Sequence, residues 1–197
     1  MIVIALAHMA RGDAYSQWAL AEYAVRYAAP LAAAYLISIG SRIYEDGKAF
    51  SFVMLGLAVA TSATFVLHGY KALDQYGAFT DLILLSDQRI FQLGLSQAFA
   101  ENTLYVIGAI DVGVGILLLA TQWRGVALYM ALWGAITAAS RMTAFGWGAW
   151  PETFLRTANF GVPLVLALYW IQSSSVSTDE STQPTPIQPA SPHEELC

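Results

Sequence analysis

A few ionisable residues fall inside long apolar runs, and they are the positions where this sequence could do chemistry. Asp111 is the clearest. It lies eight residues into the run Thr103–Thr121, roughly 12 Å along a helix at 1.5 Å per residue. An acid at such a depth in a bilayer costs ~2.5–3.5 kcal/mol, so it requires a partner or a wet cavity. Gly108 and Gly115 flank it at helical spacing, and small residues there permit a close neighbour helix. An earlier run places Thr61, Thr64, His68 and Lys71 at steps of three, four and three, a single polar stripe that belongs inside a bundle rather than against lipid. Trp133, Thr137 and Arg141 stand four apart with Ser140 beside them, and Arg156, Asn159 and Pro163 share one side of the last run. Successive runs alternate in direction, so His68, Lys71, Glu101, Arg141, Arg156 and Asn159 gather near one membrane face. Asp111 lies below them, within reach of a long arginine side chain.

Two readings of this cluster stand side by side. In one, Lys71, Arg141 and Arg156, with Asn159, Thr137 and Glu101, hold an anionic or quinone-like headgroup; His68, a residue type able to move a proton near neutral pH, serves as proton carrier, and Asp111 is the buried counter-ion. His68 and Asp111 are then the candidate catalytic residues. In the other, the same side chains form an internal ion-pair network that fixes helix register. Other chemistries find little support. His68 has no second histidine on another run, which leaves bis-histidine haem ligation weak. No His/Cys/carboxylate spacing suits zinc, and neither a nucleophile elbow nor a phosphate-cradling glycine loop is present. No metal and no cofactor is evident, with quinone the one cofactor the cluster would suit. The single cysteine, Cys197, excludes a Cys-x-x-Cys redox pair.

The elements that must position these residues follow from composition. The chain has 197 residues, 57% hydrophobic and only 12% charged, against roughly 25% charged in ordinary soluble domains. Its 9 basic and 14 acidic residues give a net charge of −5, which leaves no basic footprint for nucleic acid. Five apolar stretches approach the ~20 residues a crossing needs: Trp18–Gly40, Ala49–Tyr70, Thr103–Thr121, Gly125–Met142 and Thr153–Ile171. Trp18, Tyr44, Tyr70, Trp123, Trp147, Trp150 and Trp170 mark their ends, as amphipathic rings do at the headgroup boundary. The first stretch is the least regular, because Glu22, Arg26 and Pro30 lie in its opening half; Glu22 and Arg26 are spaced to pair on one helix face. Residues 1–17 form a lead-in, 18–48 an additional transmembrane helix and loop, and 49–171 a four-helix membrane bundle. Residues 74–100 read as interfacial amphipathic helices. The segment 172–197 holds four prolines, four acids and no Lys or Arg, and is expected to be disordered. The fold class is therefore all-α, a polytopic membrane helix bundle.

Several short motifs in the last four stretches carry a family resemblance. His68-Gly69-Tyr70-Lys71-Ala72-Leu73 closes one stretch, and Ile107-Gly108-Ala109-Ile110-Asp111 lies in the next. Leu132-Trp133-Gly134 leads to Thr137-Ala138 and Arg141, and Arg156-Thr157-Ala158-Asn159-Phe160-Gly161-Val162-Pro163-Leu164 follows. Over residues 49–171 the chain resembles the DoxX-like family of small integral membrane proteins. The resemblance implies a four-helix core with both bundle ends on the cytoplasmic side, to which the first stretch adds one N-terminal transmembrane helix. It places the chain in a bacterial plasma membrane with the polar mouth extracytoplasmic and the C-terminal tail cytoplasmic. Members of that family include proteins similar to subunits of thiosulfate:quinone oxidoreductases, parts of oxidative-stress complexes, and assembly or trafficking factors. The expected function is a membrane subunit or accessory factor, with a quinone-linked oxidoreductase subunit and a small-solute transporter as the alternatives. The expected partners are the lipid bilayer and a membrane or redox protein, with a homo-oligomer also open.

Overall fold

Whether these apolar stretches become helices, and how they pack, is answered by a computed structural model that describes residues 1–12, 15–40 and 47–180. Asp13, Arg42, Tyr44 and the tail from Ser181 lie outside the described residues. The described residues are all-helical: α1 (Ile2–Arg11), α2 (Ala19–Glu22), α3 (Ala24–Ile39), α4 (Gly47–Leu73), α5 (Gly77–Ser86), α6 (Gln97–Thr121), α7 (Arg124–Phe145), α8 (Trp150–Phe154) and α9 (Thr157–Glu180). Local chemistry sets several of the boundaries. Ser96 caps α6 by accepting a hydrogen bond from the Phe99 amide at 3.2 Å, which satisfies one of the orphan donors of the first turn. At its other end Gln122 adopts a left-handed conformation while its amide bonds Leu118 O, and Gly146, with φ 84°, stops α7.

Two helices, α4 and α6, are long and apolar enough to cross a membrane, and a third crossing results if Trp147–Phe154 and Thr157–Ser173, bent by 49°, act as one span. Of the other two stretches, α7 has the length but is less apolar. The first stretch does not form one continuous helix. Tyr23 departs from helical geometry (φ −97°, ψ 11°) and separates α2 from α3, leaving α3 with 16 residues, about 24 Å against a hydrocarbon core of ~30 Å. The last helix runs past Ile171 to Glu180, because extending a formed helix by a residue is far easier than nucleating one. Between α4 and α6, the stretch expected to lie at the interface forms α5, a π-helical turn over Asp87–Phe91 and an irregular segment before Gln97.

Two close helix pairs, α4 with α6 and α7 with α9, make up the core of the structure. Small residues let their backbones meet. A Cβ at Gly69 would stand 2.8 Å from Gly108 O, one at Gly108 would stand 2.7 Å from Gly69 O, and one at Gly134 would stand 2.6 Å from Asn159 O. Ser62 also donates to Gly115 O across the first pair, at 2.7 Å. Met54, Leu57, Phe65, Leu118, Met130, Val162 and Leu166 then close one hydrophobic core among all four helices. Val25 brings α3 into it, and the Val25 amide, at the start of that helix, donates to Thr64 Oγ1 at 3.3 Å. The opposite faces stay apolar and exposed: Phe52 and Val59 on α4, Tyr105, Val106 and Ile116 on α6, Leu132 on α7, Val165 and Leu168 on α9. Exposed apolar surface on every principal helix is what a lipid-facing bundle presents.

Candidate functional site

The two helix pairs do not close on each other evenly: α6 and α7 touch only sparsely, and α5 lies against both. The gap between them is a cavity of about 500 Å³, within the size range of small-molecule sites. Phe65, Phe79, Leu82, Ile83, Leu104 and Ile107 supply its apolar wall. A carboxylate holds the cover in place: Asp87, buried, accepts from the Leu93 amide through Oδ1 and from the Leu95 amide through Oδ2, both at 2.8 Å. This folds the irregular segment back so that Phe91 and Leu95 close one side of the cavity.

Six of the eight residues singled out from the sequence line this cavity: His68, Asp111, Thr137, Arg141, Arg156 and Asn159. Helix register places them at two levels. Arg141, near the end of α7, Arg156, in the turn before α9, and Asn159, in the first turn of α9, lie toward one end of the bundle. Asp111 and Trp133 lie deeper, Trp133 some 12 Å below Arg141 along α7 by the helical rise. At the deep level the Trp133 indole N–H lies toward the Asp111 carboxyl, though neither Asp111 Oδ1 nor Trp133 Nε1 completes a hydrogen bond, and Arg141 Nε above them is buried without a partner. No ion pair joins Asp111 to an arginine among the described residues.

Lys71 stands behind the cavity rather than in it. Its ammonium forms a 2.7 Å ion pair with Glu22 Oε2, both side chains less than a tenth exposed, and sits 5.5 Å and 5.1 Å from the ring centroids of Tyr15 and Tyr76. His68 bridges this buried pair and the cavity. Its Nδ1 donates to Thr64 O at 2.8 Å, which leaves Nε2 facing Glu22 Oε1 at 3.7 Å; the ring stacks on Phe79. Glu101 is not brought to the site: it accepts from Gln97 Nε2 at 2.7 Å on its own helix and does not line the cavity. Thr137 lines it with its hydroxyl bonded back to Gly134 O at 3.1 Å.

Three contributors were not foreseen in these roles. Glu22 and Arg26 do not pair with each other, because the break at Tyr23 separates them; Glu22 turns to α4, and Arg26 donates from Nε to Asn159 Oδ1 at 3.3 Å. The signal for Glu22 was Lys71 itself, since a buried ammonium asks for an acid. Tyr15 donates to Asp74 Oδ2 and so ties the N-terminal lead-in to the end of α4. That hydrogen bond, ahead of desolvation, pushes the Tyr15 phenol up to about 12, so it remains a donor throughout the ordinary pH range.

No family model, curated protein or solved structure matches the chain.

Proposed function

We propose that this chain is an integral membrane protein of the DoxX-like type that holds an amphiphilic small molecule between its helix pairs, as a membrane subunit or accessory factor of a larger membrane system. The observation that carries the reading is the cavity of about 500 Å³ itself: apolar walls, a few convergent polar groups, and buried polar atoms left without partners. Buried polar groups are ordinarily satisfied, so the unpartnered Arg141 Nε at the polar end of the cavity favours a ligand that completes it. In this reading α4, α6, α7 and the bent α8–α9 pair cross a bacterial plasma membrane, α3 packs beside them as an N-terminal addition, the arginine end of the cavity faces outward and the C-terminal tail is cytoplasmic.

A quinone-linked role is the second reading, and the position of His68 favours it. The imidazole lies on the cavity wall with Glu22 behind it, the arrangement a proton carrier needs to serve a redox headgroup. The test is binding of a short-chain quinone analogue to the protein in lipid nanodiscs, followed by quenching of tryptophan emission. Saturable quenching that weakens in His68→Ala and Arg141→Ala supports this second reading. Quenching unchanged by both substitutions, in protein that accumulates normally, removes quinone and leaves the cavity to another amphiphile. A pull-down in gentle detergent addresses the subunit role: a stoichiometric membrane partner supports it, and a bare homo-oligomer opposes it.

A further inference from the structure

The proposed reading leaves open what head the amphiphile carries, and the charges at the outer level of the cavity answer it. Arg141 and Arg156 line the cavity, and Arg26 reaches the same place through Asn159, which also lines it. The three guanidinium groups are close enough to repel one another. Their neutralisation within the chain is incomplete. Glu22 is committed to Lys71 at 2.7 Å. Glu152 pairs with Arg156 at 3.6 Å, with its own side chain half exposed, and attracts Arg141 only from farther off; Arg156 spends a further donor on Glu152 O at 2.7 Å. Arg26 has a neutral acceptor in Asn159 and lies over the Tyr23 ring, 4.8 Å from its centroid. Arg141 forms no ion pair among the described residues, and its Nε is buried and unpartnered. A buried guanidinium nitrogen without a partner is unfavourable, and a planar fork of donors matches carboxylate and phosphate oxygens.

We propose, resting on the cavity-binding reading above, that the ligand is a single-chain amphiphile with an anionic phosphate or carboxylate head held by Arg141 with Arg26 and Arg156, its chain lying along the wall formed by Phe65, Leu104 and Ile107. Among the described residues the deep level offers no cation to an anionic group, whereas Arg141 and Arg156 line the other end, so the head sits at the arginine level and the chain points inward. The head cannot be a free anion alone, because the apolar wall would then remain without an occupant.

The experiment compares three probes on the full chain in phosphatidylcholine nanodiscs: dodecyl phosphate, dodecanol and inorganic phosphate. Binding is read from Trp133 emission, with the Trp133→Phe variant and protein-free nanodiscs as references. The expected result is that dodecyl phosphate binds at least about tenfold more tightly than dodecanol, a ratio within the reach of charge-assisted hydrogen bonds, and that inorganic phosphate does not compete at millimolar concentration. Arg141→Gln removes the phosphate preference and leaves dodecanol binding unchanged, whereas Ile107→Trp, which fills the cavity, removes both. Should Arg141→Gln fail to fold, Arg26→Gln is expected to reduce the same preference. Equal binding of dodecyl phosphate and dodecanol, both lost in Ile107→Trp, overturns the anionic head while the cavity reading stands. Inorganic phosphate binding as tightly as dodecyl phosphate overturns the amphiphile. Binding of none of the probes overturns the cavity reading and this inference together.

Discussion

Replacing Glu22 by glutamine tests how the N-terminal segment is held to the bundle. The substitution keeps size and polarity but removes the negative charge 2.7 Å from Lys71 Nζ, in a place where both side chains are less than a tenth exposed. Breaking a buried pair by removing one partner costs about 3–5 kcal/mol. Here the ammonium keeps the faces of Tyr15 and Tyr76, and cation–π attraction offsets roughly 0.5–2 kcal/mol of that loss. The net expectation is about 1–4.5 kcal/mol, or roughly 5- to 1,600-fold in the unfolding equilibrium. Reversible unfolding in mixed micelles, followed by circular dichroism, measures it. The companion Glu22→Leu/Lys71→Met double variant is expected to recover most of the loss, since an apolar pair of similar volume is often as stable as a buried ion pair. A cost below about 1 kcal/mol for Glu22→Gln, or strict additivity of the two single substitutions, would refute the buried pairing.

Two further perturbations follow from the packing. Gly69→Ala and Gly108→Ala each place a Cβ within 2.8 Å of the facing backbone, so each is expected to destabilise by about 1–3 kcal/mol, while Gly113→Ala, which meets nothing within 4 Å, is expected to be neutral or slightly stabilising; the same unfolding assay separates them. Asp87→Ala deprives the Leu93 and Leu95 amides of their acceptor, and the expected outcome is at least about tenfold faster hydrogen exchange at those two amides, with the amides of mid-α6 unchanged.

Helical periodicity carried much of this arrangement in the sequence. The Gly108 and Gly115 pair around Asp111 already implied a close neighbour, which proves to be α4 through Gly69 and Ser62. The stripe Thr61, Thr64, His68 and Lys71 turns inward as its spacing requires, with Thr61, Thr64 and Lys71 buried. What periodicity does not carry is a break within an apolar stretch. The interruption at Tyr23 reassigns Glu22 to Lys71 and Arg26 to Asn159, and no local propensity in the run Ala19–Val25 announces it. Long-range partners were similarly hidden. The expectation that an arginine would reach Asp111 assumed free rotation of α7, whereas packing of Gly134 on Asn159 fixes its face and sets Trp133, not Arg141, at the depth of the acid. Glu101 was placed by helix end alone, and its hydrogen bond runs along its own helix.

The most direct test of the account is an experimental structure of the protein purified from its own membrane into nanodiscs. The account predicts elongated density in the cavity between the two helix pairs, with one polar end against Arg141 and the other end toward Asp111 and Trp133. A cavity collapsed by contact between α6 and α7, or one holding only ordered water that satisfies Arg141, Asp111 and Trp133, would contradict it.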